Sequence, residues 1–108
     1  MSLDIYLQDP TATYETKELH WQNITHNLGS MASEANVYNS LWGAHGKLAK
    51  DVISSLKEGL RDMKENPDKY KKHNPSNGWG SYEAFVPWVE EFLNKCIEYP
   101  DAMIEVSR

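Results

Sequence analysis

The two ends of this chain share a two-residue rhythm, and that rhythm limits the fold more than any other feature. Leu3-Asp4-Ile5-Tyr6-Leu7 alternates apolar and polar side chains, as a half-buried strand does. Met103-Ile104-Glu105-Val106-Ser107 alternates more weakly, after the turn signal Tyr99-Pro100-Asp101. A lone strand leaves its backbone donors and acceptors unpaired. The two terminal strands are therefore expected to pair with each other as a small ribbon. Asp9-Pro10 ends the first, and residues 11–17 read as a polar loop. Any third strand would have to come from the loops.

Between the strands lie three helical patterns. In the first, Trp21, Ile24, Leu28, Met31 and Ala35 follow three- and four-residue steps. At about 100° per residue they would form one stripe. Asn23, Asn27, Ser30 and Glu34 would then share another face, with His26 at its margin. The second pattern covers residues 47–65, with Leu48, Val52, Leu56, Leu60 and Met63 on its buried side. Leu41-Trp42-Gly43-Ala44-His45-Gly46 precedes it as a connection holding a buried tryptophan. Pro67 can open a further short turn through Tyr70, with Asn66 as its cap. The third pattern starts near Ser81, a good capping residue, and reaches about Ile97. Tyr82, Phe85, Val86, Val89, Leu93 and Cys96 make its apolar face. Pro87 removes a backbone donor and should bend this helix or delay its start. The expectation is an α+β fold, mostly helical: three main helices and a ribbon of terminal strands.

At 108 residues the chain reads as a single domain, 1–108. Its 40% hydrophobic and 25% charged residues suit a folded core rather than disorder. With Cys96 the only cysteine, no intrachain disulfide forms, which fits a reducing compartment. No run is long enough to span a membrane, and the first residues lack the basic and apolar regions of a signal segment. A cytoplasmic location follows as the expectation, in a cell or an infected host. The net charge of -5 argues against a nucleic-acid polymer as partner. Arg61, Lys64, Lys69, Lys71 and Lys72 are diluted by Asp62, Glu65 and Asp68, and read as a solvated surface.

Two groups of residues carry the chemistry. One is Asn74-Pro75-Ser76-Asn77-Gly78-Trp79-Gly80-Ser81-Tyr82-Glu83, two glycines around a tryptophan before a helix start. Such a loop can aim backbone N–H groups at an anion or a carbonyl. It is not a GxxxxGK[ST] phosphate loop, since no lysine follows Gly80. The plainer reading is a tight junction with Trp79 as a hydrophobic plug. The second group is Asn23, His26 and Asn27. Asparagine favours caps and turns over helix interiors, so two of them around a histidine suggest a polar network. That network either holds the glycine loop or faces a ligand. The candidate ligand-binding set is Asn23, His26, Asn27, Asn77, Gly78, Trp79, Gly80, Ser81 and Tyr82. His26 is the one weak catalytic candidate, as an acid or base. His20, His45 and His73 show no metal-ligand spacing, and no metal or cofactor is expected. Cys96 reads as a small buried hydrophobe, and Glu90 and Glu91 as exposed helix residues.

The strings Asn23-Ile24-Thr25-His26-Asn27-Leu28, Leu41-Trp42, Asn74 to Glu83, Tyr99-Pro100-Asp101-Ala102 and Val106-Ser107-Arg108 resemble an uncharacterised family of small bacterial and bacteriophage proteins. The resemblance covers nearly the whole chain. It implies a shared fold and a pocket built from Asn23, His26, Asn27, Asn77, Trp79 and Tyr82. Gly43-Ala44-His45-Gly46 departs from the Trp-Arg-Pro-like pattern of that family. Association with phages implies interference with host defence. The leading expectation is a non-enzymatic protein that binds a polar small molecule, a nucleotide being one candidate. Alternatives are a protein-binding inhibitor, supported by acidity and surplus aromatics, and a small enzyme using His26. A homodimer completing the pocket is compatible with so small a chain.

Overall fold

The computed structural model describes residues 2–12 and 17–108. It is an α+β fold built on a three-stranded antiparallel sheet, with helices over roughly half of the chain. Strand β1, Ser2–Gln8, lies in the middle; β2, Glu18–Thr25, and β3, Met103–Ser107, flank it. The helices are α1, Gly29–Glu34; α2, Ile53–Glu65; α3, Pro67–Lys71; and α4, Tyr82–Glu98.

The chain ends pair as their alternation requires, from Asp4↔Ser107 to Gln8↔Met103. Leu3, Ile5 and Leu7 are fully buried on one face, in the same core as Leu28, Met31, Leu56, Met63, Phe85 and Phe92. Each such aliphatic or aromatic side chain contributes about 1.5–3 kcal/mol through burial. The outer edge of β3 is covered by the segment before α2. Ile104 exchanges backbone hydrogen bonds with Gly46 and Lys47, and the Val106 N–H donates to His45 Nδ1 at 3.0 Å.

The ribbon has a third strand, and it comes from a region whose spacing predicts a helix. Residues 18–25 are extended and pair with β1 from Ser2↔Thr25 to Gln8↔Glu18, with a bulge between Leu7 and Gln8. The three- and four-residue spacing of Trp21, Ile24 and Leu28 is therefore not a helical stripe. Ile24 packs against the core, whereas Trp21 is 52% exposed. The physical reason is the central strand: β1 has two edges, and β3 satisfies one. Trp21, Ile24 and Thr25 also suit a pleated surface.

The helix starts only after Thr25. Its Oγ1 accepts the Asn27 N–H at 3.2 Å and opens a 3-10 turn, His26–Leu28, which runs into α1. Asn36, at φ 60°, ends α1, with Asn36 N–H donating to Ser33 O and Val37 N–H to Ala32 O. That paired closure with a left-handed residue is a Schellman stop. Asn23, Asn27 and Glu34 thus lie on a strand, a turn and a helix, and not on one helical face.

The later helices follow their patterns more closely. A 3-10 turn, Ala49–Asp51, precedes α2, and Pro67 opens α3 at its first turn. Asn66 does not cap α3 through its side chain; its amide donates back to Asp62 instead. Ser81 does cap α4, its Oγ accepting the Ala84 N–H at 3.1 Å. Pro87 sits inside α4 without delaying its start at Tyr82. The residues of the expected 11–17 loop at positions 13–16 lie outside the described residues. Among the described residues, no helix is long and apolar enough to cross a membrane.

Candidate functional site

The start of β1, the end of β2, the 3-10 turn and the glycine loop surround an open hollow of about 760 Å³. It is lined by Ser2, Asn23, Thr25, His26, Asn27, Asn77 and Trp79. Five residues of the sequence-derived set therefore meet around one space. Gly78, Gly80, Ser81 and Tyr82 do not line it.

Those four residues build the loop that carries Trp79. Gly78 and Gly80 have φ of 76° and 95°, a region that favours glycine. A Cβ on Gly80 would lie 2.8 Å from Thr25 Cγ2 and 3.0 Å from Leu28 Cγ, so the loop presses against the end of β2. Ser81 is occupied as the α4 cap. The Tyr82 N–H donates to Asn74 Oδ1 at 2.7 Å, and its hydroxyl to the Met63 carbonyl at 2.5 Å. The Trp79 N–H donates to Asn77 Oδ1 at 2.9 Å, and the Gly78 N–H to Pro75 O. Many donors expected to hold an anion thus close the loop on itself.

The side chains around the hollow keep a mixed set of polar atoms. The Asn23 amide donates to Ser2 Oγ at 2.9 Å and Asp4 Oδ1 at 2.7 Å. Its Oδ1 makes no hydrogen bond among the described residues. Asn27 Nδ2 lies 3.5 Å from the Trp79 carbonyl, a long contact. With Asn77 Oδ1 held by the loop, its Nδ2 remains a donor. Trp79 is 70% exposed, an unusual position for an indole. Among the described residues, no Lys or Arg lines the space.

His26 is fixed by a residue that spacing alone did not connect to it. The buried Trp42 donates its indole N–H to His26 Nδ1 at 2.8 Å. Tyr38 stacks on Trp42, 5.3 Å between centroids and 2° between planes, which holds the indole in place. A neutral imidazole accepting at Nδ1 carries its proton on Nε2. His26 therefore offers an Nε2–H donor at the edge of the hollow. With Nδ1 accepting from Trp42 and Nε2 already carrying its proton, neither ring nitrogen is a free acceptor. The ring is arranged to donate and poorly arranged to act as a base.

Other candidates stand apart from this place. Cys96 is fully buried, and burial pushes its thiol up to about 12. Such a thiol is a poor nucleophile. His20 bonds the Gln22 side chain at 2.8 Å, His45 holds β3, and His73 contacts Glu34 at 3.2 Å. Among the described residues, no three His, Cys, Asp or Glu side chains gather as a metal set. A smaller depression of about 420 Å³ carries the carboxylates of Asp9, Glu98 and Asp101. No family model, curated protein or solved structure matches this chain.

The sequence carried faint signals for the lining residues it did not single out. Thr25 sits where a cap for a turn would sit, two residues before Asn27. Ser2 joins the hollow only through its register with Thr25, which no local pattern encodes.

Proposed function

We propose that this protein is a non-enzymatic receptor for a planar, polar small molecule, with the base of a nucleoside or nucleotide as the best-fitting class. The observation that carries this reading is the exposed Trp79 ring beside a hollow lined by Asn23, His26, Asn27 and Asn77. Amides and an Nε2–H offer donors and acceptors together, as the polar edge of a heterocycle requires. The indole offers a face for stacking. The lack of a lining Lys or Arg among the described residues favours recognition of the base over recognition of a polyphosphate. The Trp42–His26 bond supports a binding role for His26 over an acid–base one. A role against host defence rests on the family resemblance alone and a cytoplasmic location on the single cysteine; both belong to the same proposal.

A panel of nucleosides and nucleotides, screened by thermal shift and then by calorimetry, tests it. At least one member should raise Tm, and Trp79→Ala should weaken its binding by about 10- to 100-fold, the range of one lost base–aromatic stack. A panel without any shift would sink the reading, as would a bound ligand indifferent to Trp79→Ala.

A further inference from the structure

The open face of the sheet holds a different chemistry from the hollow. Pairing places Trp21, Tyr6 and Glu105 in one row across the three strands, and Asn23, Asp4 and Ser107 in the next. Directly opposed residues point to the same side of a sheet. This is the side away from Leu3, Ile5 and Leu7. Trp21, half exposed, donates its indole N–H to Asp4 Oδ1 at 3.1 Å, which holds the ring beside the carboxylate. Glu18 lies close by: with Asp4 and Glu105 its charge adds to desolvation in raising the Tyr6 phenol above its ordinary range. None of the three carboxylates has a salt-bridge partner among the described residues. The paired face positions from Ser2 to Gln8, and those opposite them, hold no Lys or Arg.

We infer that this face is a docking surface for an arginine-bearing basic segment of a partner protein. Aromatic rings flanked by carboxylates suit a guanidinium, which stacks on the indole while its N–H groups reach the acids. The solvated face of an antiparallel sheet normally carries polar side chains. An indole and a phenol in register, ringed by three unpaired acids, form an aromatic anchor with a charged rim. The same charges argue against a second copy as the occupant. A two-fold contact through this face would set one cluster of acids against another.

The inference stands apart from the small-molecule reading, because Trp21, Tyr6 and Glu105 do not line the hollow. The test is an NMR titration of the 15N-labelled full chain with a nonapeptide of alternating arginine and glycine. Glutamate–glycine and serine–glycine peptides serve as controls. The arginine peptide should shift the Trp21 indole and backbone signals of Asp4, Tyr6 and Glu105, and added salt should weaken it. Trp21→Ala should reduce affinity about tenfold and Glu105→Gln about threefold. Trp21→Phe keeps a ring for the fold and should retain part of the binding. Glu65→Gln, at an exposed position of α2, removes the same charge elsewhere and should change nothing. Trp79→Ala should leave peptide binding intact, which keeps this test separate from that of the hollow. Equal losses from Glu65→Gln and Glu105→Gln would overturn the inference, because only net charge would then matter. So would shifts confined to the helical side, an absence of shifts, or self-association abolished by Trp21→Ala.

Discussion

Gly59 and Gly80 are small residues held in place by what surrounds them. Gly59 lies within α2, where alanine would ordinarily gain about 1 kcal/mol in helix propensity. A Cβ there would meet the Ala35 carbonyl at 2.8 Å as well as the Val37 side chain. Overpacking against backbone costs about 1–3 kcal/mol, so Gly59→Ala should destabilise despite better propensity. Gly80→Ala should be worse, since positive φ adds to its contacts with Thr25 and Leu28. Gly78→Ala meets only the φ penalty, as nothing lies within 4 Å. Urea unfolding of the three variants should rank Gly80→Ala as more destabilising than Gly78→Ala, with Gly59→Ala below wild type. A stabilised Gly59→Ala would show that α2 can shift away from the end of α1.

Asp9, Glu34, Asp62 and Glu98 are all held below their ordinary values, and Glu34 and Asp62 tie separate elements together. The His73 hydrogen bond, then Lys72 and Lys69, hold the Glu34 carboxyl below its ordinary value. The buried Tyr70 hydroxyl donates to Asp62, and with Lys69 and Asn66 it lowers that group too. Both pKa values are depressed in the fold, so their stabilisation is present above the unfolded values of 4.5 and 3.8. It is lost as pH falls through the lower folded values. Both groups reach solvent, which keeps each effect modest. Thermal melts from about pH 6 to about pH 3 should show Glu34→Gln and Asp62→Asn losing less stability on acidification than wild type. Parallel curves for all three proteins would remove these residues from the acid response.

At the scale of elements, local chemistry predicted what local chemistry controls. Ser81 announces the start of α4, Pro67 that of α3, and the two terminal alternations name strands that do pair. β2 escaped because its fate depends on pairing with β1, from Ser2↔Thr25 to Gln8↔Glu18, which its own residues do not encode. Its apolar spacing fits a helix by coincidence, while the unpaired edge of β1 decides for a strand. Trp88 joins the two layers, its indole N–H donating to the Asn23 carbonyl at 2.9 Å and its own carbonyl accepting from Gln22. The positive φ at Gly78 and Gly80 was readable from the loop sequence. The Trp42–His26 bond was not, because it links two segments through tertiary packing alone.

Across the whole molecule, the polar residues fall into two surfaces served by one sheet. The end of β2 feeds Asn23 and Thr25 into the hollow, while its middle places Trp21 on the open face. Which residues shared the hollow was partly legible, since Asn23, His26, Asn27, Asn77 and Trp79 stood out by type. Their geometry was not, because the helix expected there would have turned Asn23 and Asn27 to one face. The account turns on whether Trp79 and its polar neighbours receive a ligand together. The most direct measurement is a side-chain NMR titration with the nucleosides and nucleotides, following the Trp79 indole, the Asn27 and Asn77 amides and the His26 Nε2–H. One ligand should move all four sets along a single saturation curve, with the buried Trp42 indole following only through its bond to His26. Stationary signals across the panel, or shifts that miss Trp79 and His26, would contradict a receptor at this site.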